Sequence, residues 1–245
     1  MFDVGIVGYP TITTTKSFTL DGVDEYLTMG NVLDKTGANA YSVSAWVKLS
    51  SLSTSTILSK RNGAATPGYV VYLDSAAGRL RFYMEDESGN ALFCYNASGV
   101  STGSWSMVTM TYDGSKSTAG VKFYISGTLG TTTTLTNTFS GTATNSTAAK
   151  IGSEASRWYF AGGIYSVSCW SKELSGTEVT ELYNSGTPLD ANTHSASANL
   201  QAYWRMGNDE FDDGTGTTGK IMDRAGAFNA TPTNTESGDI TTDAP

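Results

Sequence analysis

The sequence predicts an all-β protein in which two antiparallel sheets pack face to face, with one short helix near residues 176–184. Three observations predict this class. Apolar and polar residues alternate in short segments, as in half-buried strands. Turn signals recur every ten or so residues, which is typical of a sandwich. The 245 residues include 36 Thr, 29 Ser and 27 Gly, and Thr favours strands whereas Gly and Ser favour turns.

The strands are predicted in an unbroken series from residue 17. They are 17–20, 26–29, 42–49, 56–60, 68–74, 79–85, 91–96, 104–112, 120–126, 129–135, 150–152, 163–170 and 199–206. Gly-containing loops at 75–78 and 88–90 predict two hairpins. No helical pattern alternates with the strands, which argues against a parallel α/β sheet.

The one predicted helix has clear signals at both ends. Ser175 and Glu178 form a capping box, in which each side chain hydrogen-bonds the backbone of the other residue. Val179 and Leu182 lie at helical spacing, and Gly186 is a helix-ending residue.

The net charge of −8 and the pI of about 4.6 exclude several partners. A nucleic-acid surface needs clustered Lys and Arg, and anionic membranes are disfavoured for the same reason. No run approaches the ~20 apolar residues of a membrane span. Residues 1–10 lack the basic and apolar regions of a signal peptide, so synthesis in the cytosol is expected.

The two cysteines, Cys94 and Cys169, each lie in an apolar strand-like run. Cysteine is commonly buried without pairing, so two buried thiols are expected. A disulfide between them is left open, because pairing cannot be deduced from sequence.

Several segments resemble a known family. They are SFTLDGVDEY (17–26), SVSAWVKL (42–49), TILSK (56–60), GYVVYLD (68–74), WSMVTMTYDGS (105–115), VKFYISG (121–127), IGSE (151–154) and FAGGIYSVSCWSKELSGTEVTELYN (160–184). Their order and spacing are similar to those of laminin-G-like domains of the concanavalin A-like lectin/glucanase superfamily. The resemblance covers residues 17–186 and implies a jelly-roll sandwich. It does not specify function, because this fold hosts lectins, hydrolases, adhesion modules and virion proteins.

The chain departs from that family in two places. Tyr165 and Ser166 stand where the family often has an acidic pair, which weakens any metal role carried by that pair. The segment 202–231 resembles one that often precedes the opening motif in other members, whereas here it follows the helix. This order looks similar to that of laminin-G-like proteins encoded by tailed phages.

Glu85, Glu87 and the single histidine, His194, are the candidates for catalytic groups. Glycosidases use two carboxylates on neighbouring positions, and Glu85 and Glu87 would share a face of one strand. Ser-Gly-Asn follows at once, so a solvated acidic turn is the favoured interpretation. His194 lies in a polar loop and is predicted to be a surface residue. The sequence therefore predicts no catalytic residue.

A Ca²⁺ site is predicted at Asp21 and Asp24, which supply carboxylates around a tight Gly turn. Ca²⁺ prefers six to eight oxygen ligands. The alternative is that both side chains simply hydrogen-bond their own turn. A further acidic group at 209–213 lacks the spacing of a dedicated Ca²⁺ loop.

Ligand binding is predicted at Arg61, Asn62, Trp158 and Tyr159, which lie in two loops. Exposed aromatic rings stack on sugars beside a few polar groups. The alternative for Trp158 is that it anchors its loop into the core.

These observations predict a non-enzymatic surface protein of a phage virion, such as a decoration, fibre or tail-associated component. Whether it also binds glycans is left open. The predicted parts are an N-terminal arm (1–16), the sandwich (17–231) and a C-terminal tail (232–245). Other virion subunits and surface glycans are the expected partners, without nucleic acid or membrane insertion. The expected location is the virion, and an oligomer is left open. A carbohydrate-binding or adhesion module of a cellular protein is the alternative, and a glycoside hydrolase ranks third.

Overall fold

A computed structural model describes residues 15–245 and confirms the all-β sandwich. Its strands are β1 Ser17–Asp21, β2 Tyr26–Gly30, β3 Tyr41–Leu49, β4 Ser55–Lys60, β5 Gly68–Leu73, β6 Arg79–Glu85, β7 Ala91–Gly99, β8 Ser106–Tyr112, β9 Val121–Ile125, β10 Thr128–Leu129, β11 Thr132–Asn137, β12 Ala149–Ile151, β13 Ala161–Trp170, β14 Leu200–Trp204, β15 Thr231–Thr233 and β16 Ile240–Thr241. The helix, α1, spans Gly176–Tyr183. The predicted strand 129–135 is divided, because Gly130 and Thr131 turn the chain from one sheet to the other.

The strands form two sheets of eight. In sheet A the order is β10-β9-β8-β3-β13-β1-β16, and β14 also pairs with β13. In sheet B the order is β11-β7-β6-β5-β4-β12-β2-β15. These strand pairs are antiparallel.

The core lies between the two sheets and follows from the alternation of the strands. On β6, the apolar Leu80, Phe82 and Met84 point inward and are fully buried, while the residues between them face outward. Burial of this apolar surface is the main favourable contribution to folding.

The outer face of sheet A is covered by α1 and the segment after it, and is called the covered face below. Its buried residues are Trp46, Met107, Tyr124, Tyr165, Trp170, Leu174, Val179, Leu182, Ala191, Ala196 and Tyr203. The capping box predicted for α1 is present, because Ser175 Oγ accepts from the Glu178 N–H (3.3 Å) and Glu178 accepts from the Ser175 N–H (2.8 Å).

His194 belongs to the covered face, so its prediction as a surface residue is wrong. The side chain is 1% exposed and meets the Trp170 ring edge-to-face at 4.9 Å between centroids. Its Nδ1 accepts from the Ala196 N–H at 3.0 Å, and its Nε2 lies 2.9 Å from the Glu178 carbonyl of α1. Because the surrounding loop is polar, the sequence did not indicate that the His194 ring packs on Trp170 and holds the loop against α1.

The C-terminal segment contributes to both sheets. Within 232–245, where the sequence predicted a tail, Pro232 lies in β15, which pairs with β2 of sheet B. Ile240 and Thr241 form β16, which pairs with β1 of sheet A. The segment therefore runs along one side of the sandwich.

The predicted N-terminal arm, 1–16, lies outside the described residues except for its last two. The backbone N–H groups of Thr15 and Lys16 both donate to Asn208 Oδ1, at 2.9 and 3.0 Å. Residue 16 is thereby held beside the loop that follows β14.

Both cysteines are buried, Cys94 on sheet B and Cys169 on sheet A. Burial raises the pKa of each thiol to about 12, so neither is a reactive thiolate near neutral pH. Among residues 15–245, no helix has the length and apolar character needed to cross a membrane.

Candidate functional site

The outer face of sheet B differs from the covered face, because within residues 15–245 no α-helix packs on it. It is called the open face below. Its outward residues on the central strands are Tyr72, Arg79, Arg81, Tyr83, Glu85, Phe93 and Tyr95. The loop 152–160 crosses part of it, and Ala64 and Ala65 of the loop after β4 lie beside it.

Strand register places these side chains in rows across the sheet. Arg81 of β6 is paired with Tyr72 on one side and Tyr95 on the other, and Tyr83 is paired with Phe93. The rings of Tyr83 and Phe93 meet edge-to-face at 5.4 Å. Cross-strand aromatic pairs of this kind stabilise a sheet by about 0.2–1 kcal/mol each.

Arg61 lies at the end of β4 and is only 4% exposed. Its Nη2 donates to Glu85 Oε2 at 2.6 Å, its Nη1 lies 3.0 Å from Glu154 Oε1, and its guanidinium carbon lies 4.5 Å from the centre of the Tyr83 ring. Glu154 is fully buried and also bonds Arg157 at 2.6 Å. A buried charge is tolerated only when it is paired in this way.

Tyr83 completes this network, because its hydroxyl donates to Glu85 Oε2 at 3.1 Å. Burial, followed by the negative charge of Glu85, raises the pKa of Tyr83. The phenol therefore stays protonated and remains a hydrogen-bond donor at neutral pH.

Trp158 lies over the open face. Its ring stacks on Tyr72 with centroids 4.9 Å apart and planes 22° apart, and the Arg157 guanidinium lies 4.1 Å from its centre on the loop. The residue adopts a left-handed backbone with φ of 54°, a conformation that is uncommon for a bulky side chain. Its carbonyl accepts from the Thr56 N–H of β4 at 2.9 Å, which fastens the loop to the sheet.

Trp158 and the charged network enclose a pocket of about 360 Å³. Its lining residues are Arg61, Ala64, Ala65, Tyr72, Tyr83, Glu85, Phe93, Arg157 and Trp158. Aromatic rings beside a few fixed polar groups are the usual composition of a small-molecule site. The pocket is thus the best-equipped ligand site on the open face.

The structure brings two of the four predicted ligand residues together. Arg61 and Trp158 line the same pocket, although they are almost a hundred positions apart in sequence. Asn62 is exposed in the neighbouring loop and is not among the lining residues. Tyr159 turns toward Tyr26 of β2, with ring centroids 6.5 Å apart.

Sequence reasoning missed Tyr72, Tyr83 and Phe93, which form the floor and wall of the pocket. Their positions were visible in the alternation of β5, β6 and β7, which sets them opposite the core residues. Without the strand register, nothing in the sequence indicated that these three rings adjoin one another and Trp158.

The interpretation of residues 85–87 as a solvated acidic turn is wrong for its first two residues. Glu85 is 6% exposed and Asp86 is 2% exposed. Burial opposes ionisation of Asp86, but N–H donation from Gly141, Ser140 and other residues around the hairpin holds the pKa of this carboxyl well below its usual range. Asp86 and Glu87 therefore hold the hairpin turn at 86–90 against the loop at 140–142.

The carboxylates near the pocket are not arranged as a free catalytic pair. Glu85 Oε2 accepts from both Arg61 and Tyr83, and the two oxygens of Glu154 face Arg61 and Arg157. A glycosidase needs one carboxyl to protonate the leaving group and a second to act as nucleophile or base. Here both groups are held by guanidinium ions.

Asp21 and Asp24, the predicted calcium ligands, are exposed at the β1–β2 turn. Asp21 Oδ1 accepts from the Val23 N–H at 2.7 Å, and Asp24 Oδ2 accepts from Asn234 Nδ2 at 3.0 Å. Among residues 15–245, no three acidic, histidine or cysteine ligands come together. Two carboxylates are few for a cation that prefers six to eight oxygens, so the residues present fit the turn better than a calcium site.

Comparison with known proteins agrees with this architecture. A family model described as the concanavalin A-like lectin/glucanases superfamily, Laminin_G_3, matches residues 21–180. The chain belongs to this superfamily. No curated protein gives a significant sequence match to the chain.

Three solved structures are similar to the chain in fold. A Bacteroides ovatus protein to which carbohydrate binding has been attributed has a TM-score of 0.60 and 17% identity, covering 90% of this chain and 58% of that protein. Domain 4 of an extracellular GH43 arabinanase from Geobacillus stearothermophilus, solved with arabinotriose, has a TM-score of 0.51 and 21% identity, covering 68% and 76%. A heptameric SAP-like pentraxin from Limulus polyphemus has a TM-score of 0.51 and 14% identity, covering 69% and 82%.

At these identities the likeness to the three structures shows the fold alone. The chain spans less than two thirds of the length of the Bacteroides protein. The function has to be argued from the open face itself.

Proposed function

We propose that the protein is a non-catalytic glycan-binding module and that sugar binds on the open face, at the pocket under Trp158. The observation that carries this proposal is the combination in one uncovered pocket of an aromatic platform with fixed hydrogen-bonding groups. Trp158, Tyr83 and Phe93 supply aromatic surface in this pocket, and the Tyr83 hydroxyl oxygen and the Arg61 guanidinium lie beside it.

Two further observations support the proposal. The platform is held in advance of binding, because Trp158 is stacked on Tyr72 and hydrogen-bonded through its carbonyl to Thr56. A rigid site loses less conformational entropy on binding. Carbohydrate binding has also been attributed to the Bacteroides protein, and the Geobacillus domain was solved with arabinotriose.

A glycan array followed by calorimetric titration tests the proposal. Trp158→Ala is expected to weaken binding at least tenfold, about 1.4 kcal/mol, because the stacking surface is lost. Trp105→Ala is the matched control, since this tryptophan lies on the sheet A side with its Nε1 3.2 Å from Asp243. Equal loss in both variants, or full affinity of a folded Trp158→Ala protein, would contradict the assignment.

A non-catalytic role is part of the proposal. The bound glycan is expected to remain intact during long incubation, because Glu85 and Glu154 are both held by arginine. Release of reducing ends that is abolished by Glu85→Gln would show a hydrolase instead.

We further propose that the module is a surface component of a phage virion, in contact with other virion subunits. The support is the order of the motifs, in which the segment 202–231 follows α1. Mass spectrometry of purified particles is the direct test, and detection of the protein in cell-envelope fractions instead would favour the adhesion alternative. Calcium binding at Asp21 and Asp24 stays a prediction, and a melting temperature unchanged by excess chelator would contradict a stabilising ion.

A further inference from the structure

The arginines of the chain are unevenly distributed. The sequence contains six arginines and a net charge of −8. Four of the six lie on the open face or in the loop that crosses it: Arg61, Arg79, Arg81 and Arg157. An acidic protein therefore presents a local concentration of guanidinium groups on one face.

The charges at the pocket itself balance. Arg61 and Arg157 face Glu85 and Glu154, so two positive groups meet two negative groups. The pocket thus supplies stacking and hydrogen bonding without a free charge.

Around Asp74, elsewhere on the open face, the positive and negative charges do not balance. Asp74 Oδ2 accepts from Arg79 Nε at 2.8 Å and from Arg81 Nε at 2.7 Å, so one carboxylate serves two guanidinium ions. Burial opposes ionisation of Asp74, but N–H donation from Ala77 and Arg79 and the two guanidinium hydrogen bonds lower the pKa of Asp74. One positive charge is left over beside a fully ionised carboxylate.

The excess charge lies beside aromatic rings that are partly exposed. The guanidinium carbons of Arg79 and Arg81 lie 4.6 and 5.0 Å from the centre of the Tyr95 ring, and that of Arg81 lies 5.6 Å from Phe93. Both arginines bond Asp74 through Nε. Among residues 15–245, their terminal nitrogens have no carboxylate partner. A guanidinium held against aromatic rings, with no carboxylate on its terminal nitrogens, is suited to bind carboxylate or sulfate oxygens.

The pocket and the two arginines beside Asp74 lie along a single strand. Arg79, Arg81, Tyr83 and Glu85 occupy alternate positions of β6 and face outward. A strand rises about 3.3 Å per residue, so this row is about 20 Å long. That length exceeds a single sugar and suits an extended oligosaccharide.

We propose that the ligand is an acidic oligosaccharide lying along β6, with a sugar ring at the Trp158 pocket and a carboxylate or sulfate group on Arg79 and Arg81. This inference rests on the proposed function and names the chemical class of its ligand. A nucleic acid is the other polyanion to consider, but its phosphates are bound by clusters of Lys and Arg, whereas this row offers one uncompensated positive charge at Arg79 and Arg81.

Two matched pairs of probes test the inference in calorimetric titrations. Oligogalacturonate is compared with its carboxyl-reduced form, and a sulfated carrageenan oligosaccharide with its desulfated form. Binding to the acidic member of at least one pair is expected to be at least tenfold tighter than to its neutral partner. The pair that shows the preference identifies the anionic group.

Arg81→Gln locates the preference. It is expected to reduce the preference at least fivefold, chiefly by weakening binding of the acidic partner. Asp74 keeps Arg79 as its partner in this variant, so no carboxylate is stranded, and the melting temperature verifies folding. Arg224→Gln is the matched control, because Arg224 pairs with Asp209 away from this face and should not alter the preference.

The outcomes separate this inference from the proposed function. Equal affinity within both pairs, with binding still dependent on Trp158, would overturn the acidic ligand and leave glycan binding in place. Binding to no probe and to no glycan on the array would contradict both. Tighter binding of a single-stranded oligonucleotide than of every glycan, sensitive to Arg81→Gln, would assign the face to nucleic acid.

Discussion

The covered face and the open face are the outer surfaces of two eight-stranded sheets, but their side chains make different kinds of contact. On the covered face, Tyr183 of α1 stacks on Trp46 at 5.7 Å, and Val179 and Leu182 are buried against the sheet. On the open face, arginines and carboxylates are bonded to one another among half-exposed rings. Apolar packing buries the outward side chains of the covered face, whereas the ion pairs of the open face leave rings and guanidinium groups partly exposed.

The difference also predicts how each face responds to its surroundings. Apolar contacts of the covered face depend little on salt or pH. The open face depends on ionised groups, and partly exposed ion pairs weaken with salt and with protonation of their carboxylates. Stability and ligand binding should therefore be separable by mutation.

Removal of Arg61 is the most severe expected test of the open face. Arg61→Met leaves Glu85 without a counter-charge and Glu154 with Arg157 alone, and is expected to destabilise the protein by about 3–5 kcal/mol, measured by denaturant unfolding. Adding Glu85→Gln and Glu154→Gln to the same protein should recover much of the loss. An unchanged unfolding midpoint for Arg61→Met would show that these charges do not support the face.

Leu182 provides the corresponding test of the covered face. Leu182→Ala removes a side chain that is 4% exposed and is expected to cost about 2–4 kcal/mol, with no change in glycan affinity. The loss should be the same at low and high salt. Leu129→Ala is the control, because Leu129 is 57% exposed and its truncation should change stability by less than about 0.5 kcal/mol. A salt-dependent loss for Leu182→Ala would break the distinction between the faces.

Asp74 tests the pH dependence of the open face. Its pKa is lower when folded than when unfolded, so its stabilisation is present above about pH 4 and is lost as the pH falls through the folded value. Asp74→Asn, which sets an amide between two guanidinium donors, should cost about 1.5–3 kcal/mol at pH 7. The difference from wild type should shrink below about pH 4. A difference that is constant from pH 7 to pH 3 would contradict the role of ionised Asp74.

The smallest expected effect concerns the cap of α1. Ser175→Ala removes the acceptor for the Glu178 N–H and should cost about 1 kcal/mol without altering ligand binding. Thr177→Ala, at an exposed position of the first turn, should be nearly neutral by comparison. Equal unfolding midpoints for the two variants would mean that the cap does not help to hold the cover in place.

The sequence was sufficient for the fold because alternation within each strand sets its buried side. It was less informative about the site. Arg61 and Trp158 were selected from their loops, but Tyr83 comes next to Arg61 only through the pairing of β4, β5 and β6. The burial of Glu85 was hidden for the same reason, since its partners lie at residues 61 and 83.

His194 shows the same limit on the covered face. A polar loop is ordinarily exposed, and no local signal distinguishes a histidine whose ring is enclosed by Trp170 and α1. Local propensity determines strands and caps, whereas contacts between distant segments determine which polar residues are buried.

The pairing of β1 with β16 has a mechanical consequence. Ser17 lies opposite Thr241. Tension applied between these two positions would therefore break the hydrogen bonds between β1 and β16 one after another. That load falls on sheet A, while the arginine row lies on sheet B. A tether attached at this corner could be pulled until β16 separates from β1, and the open face would keep its shape throughout.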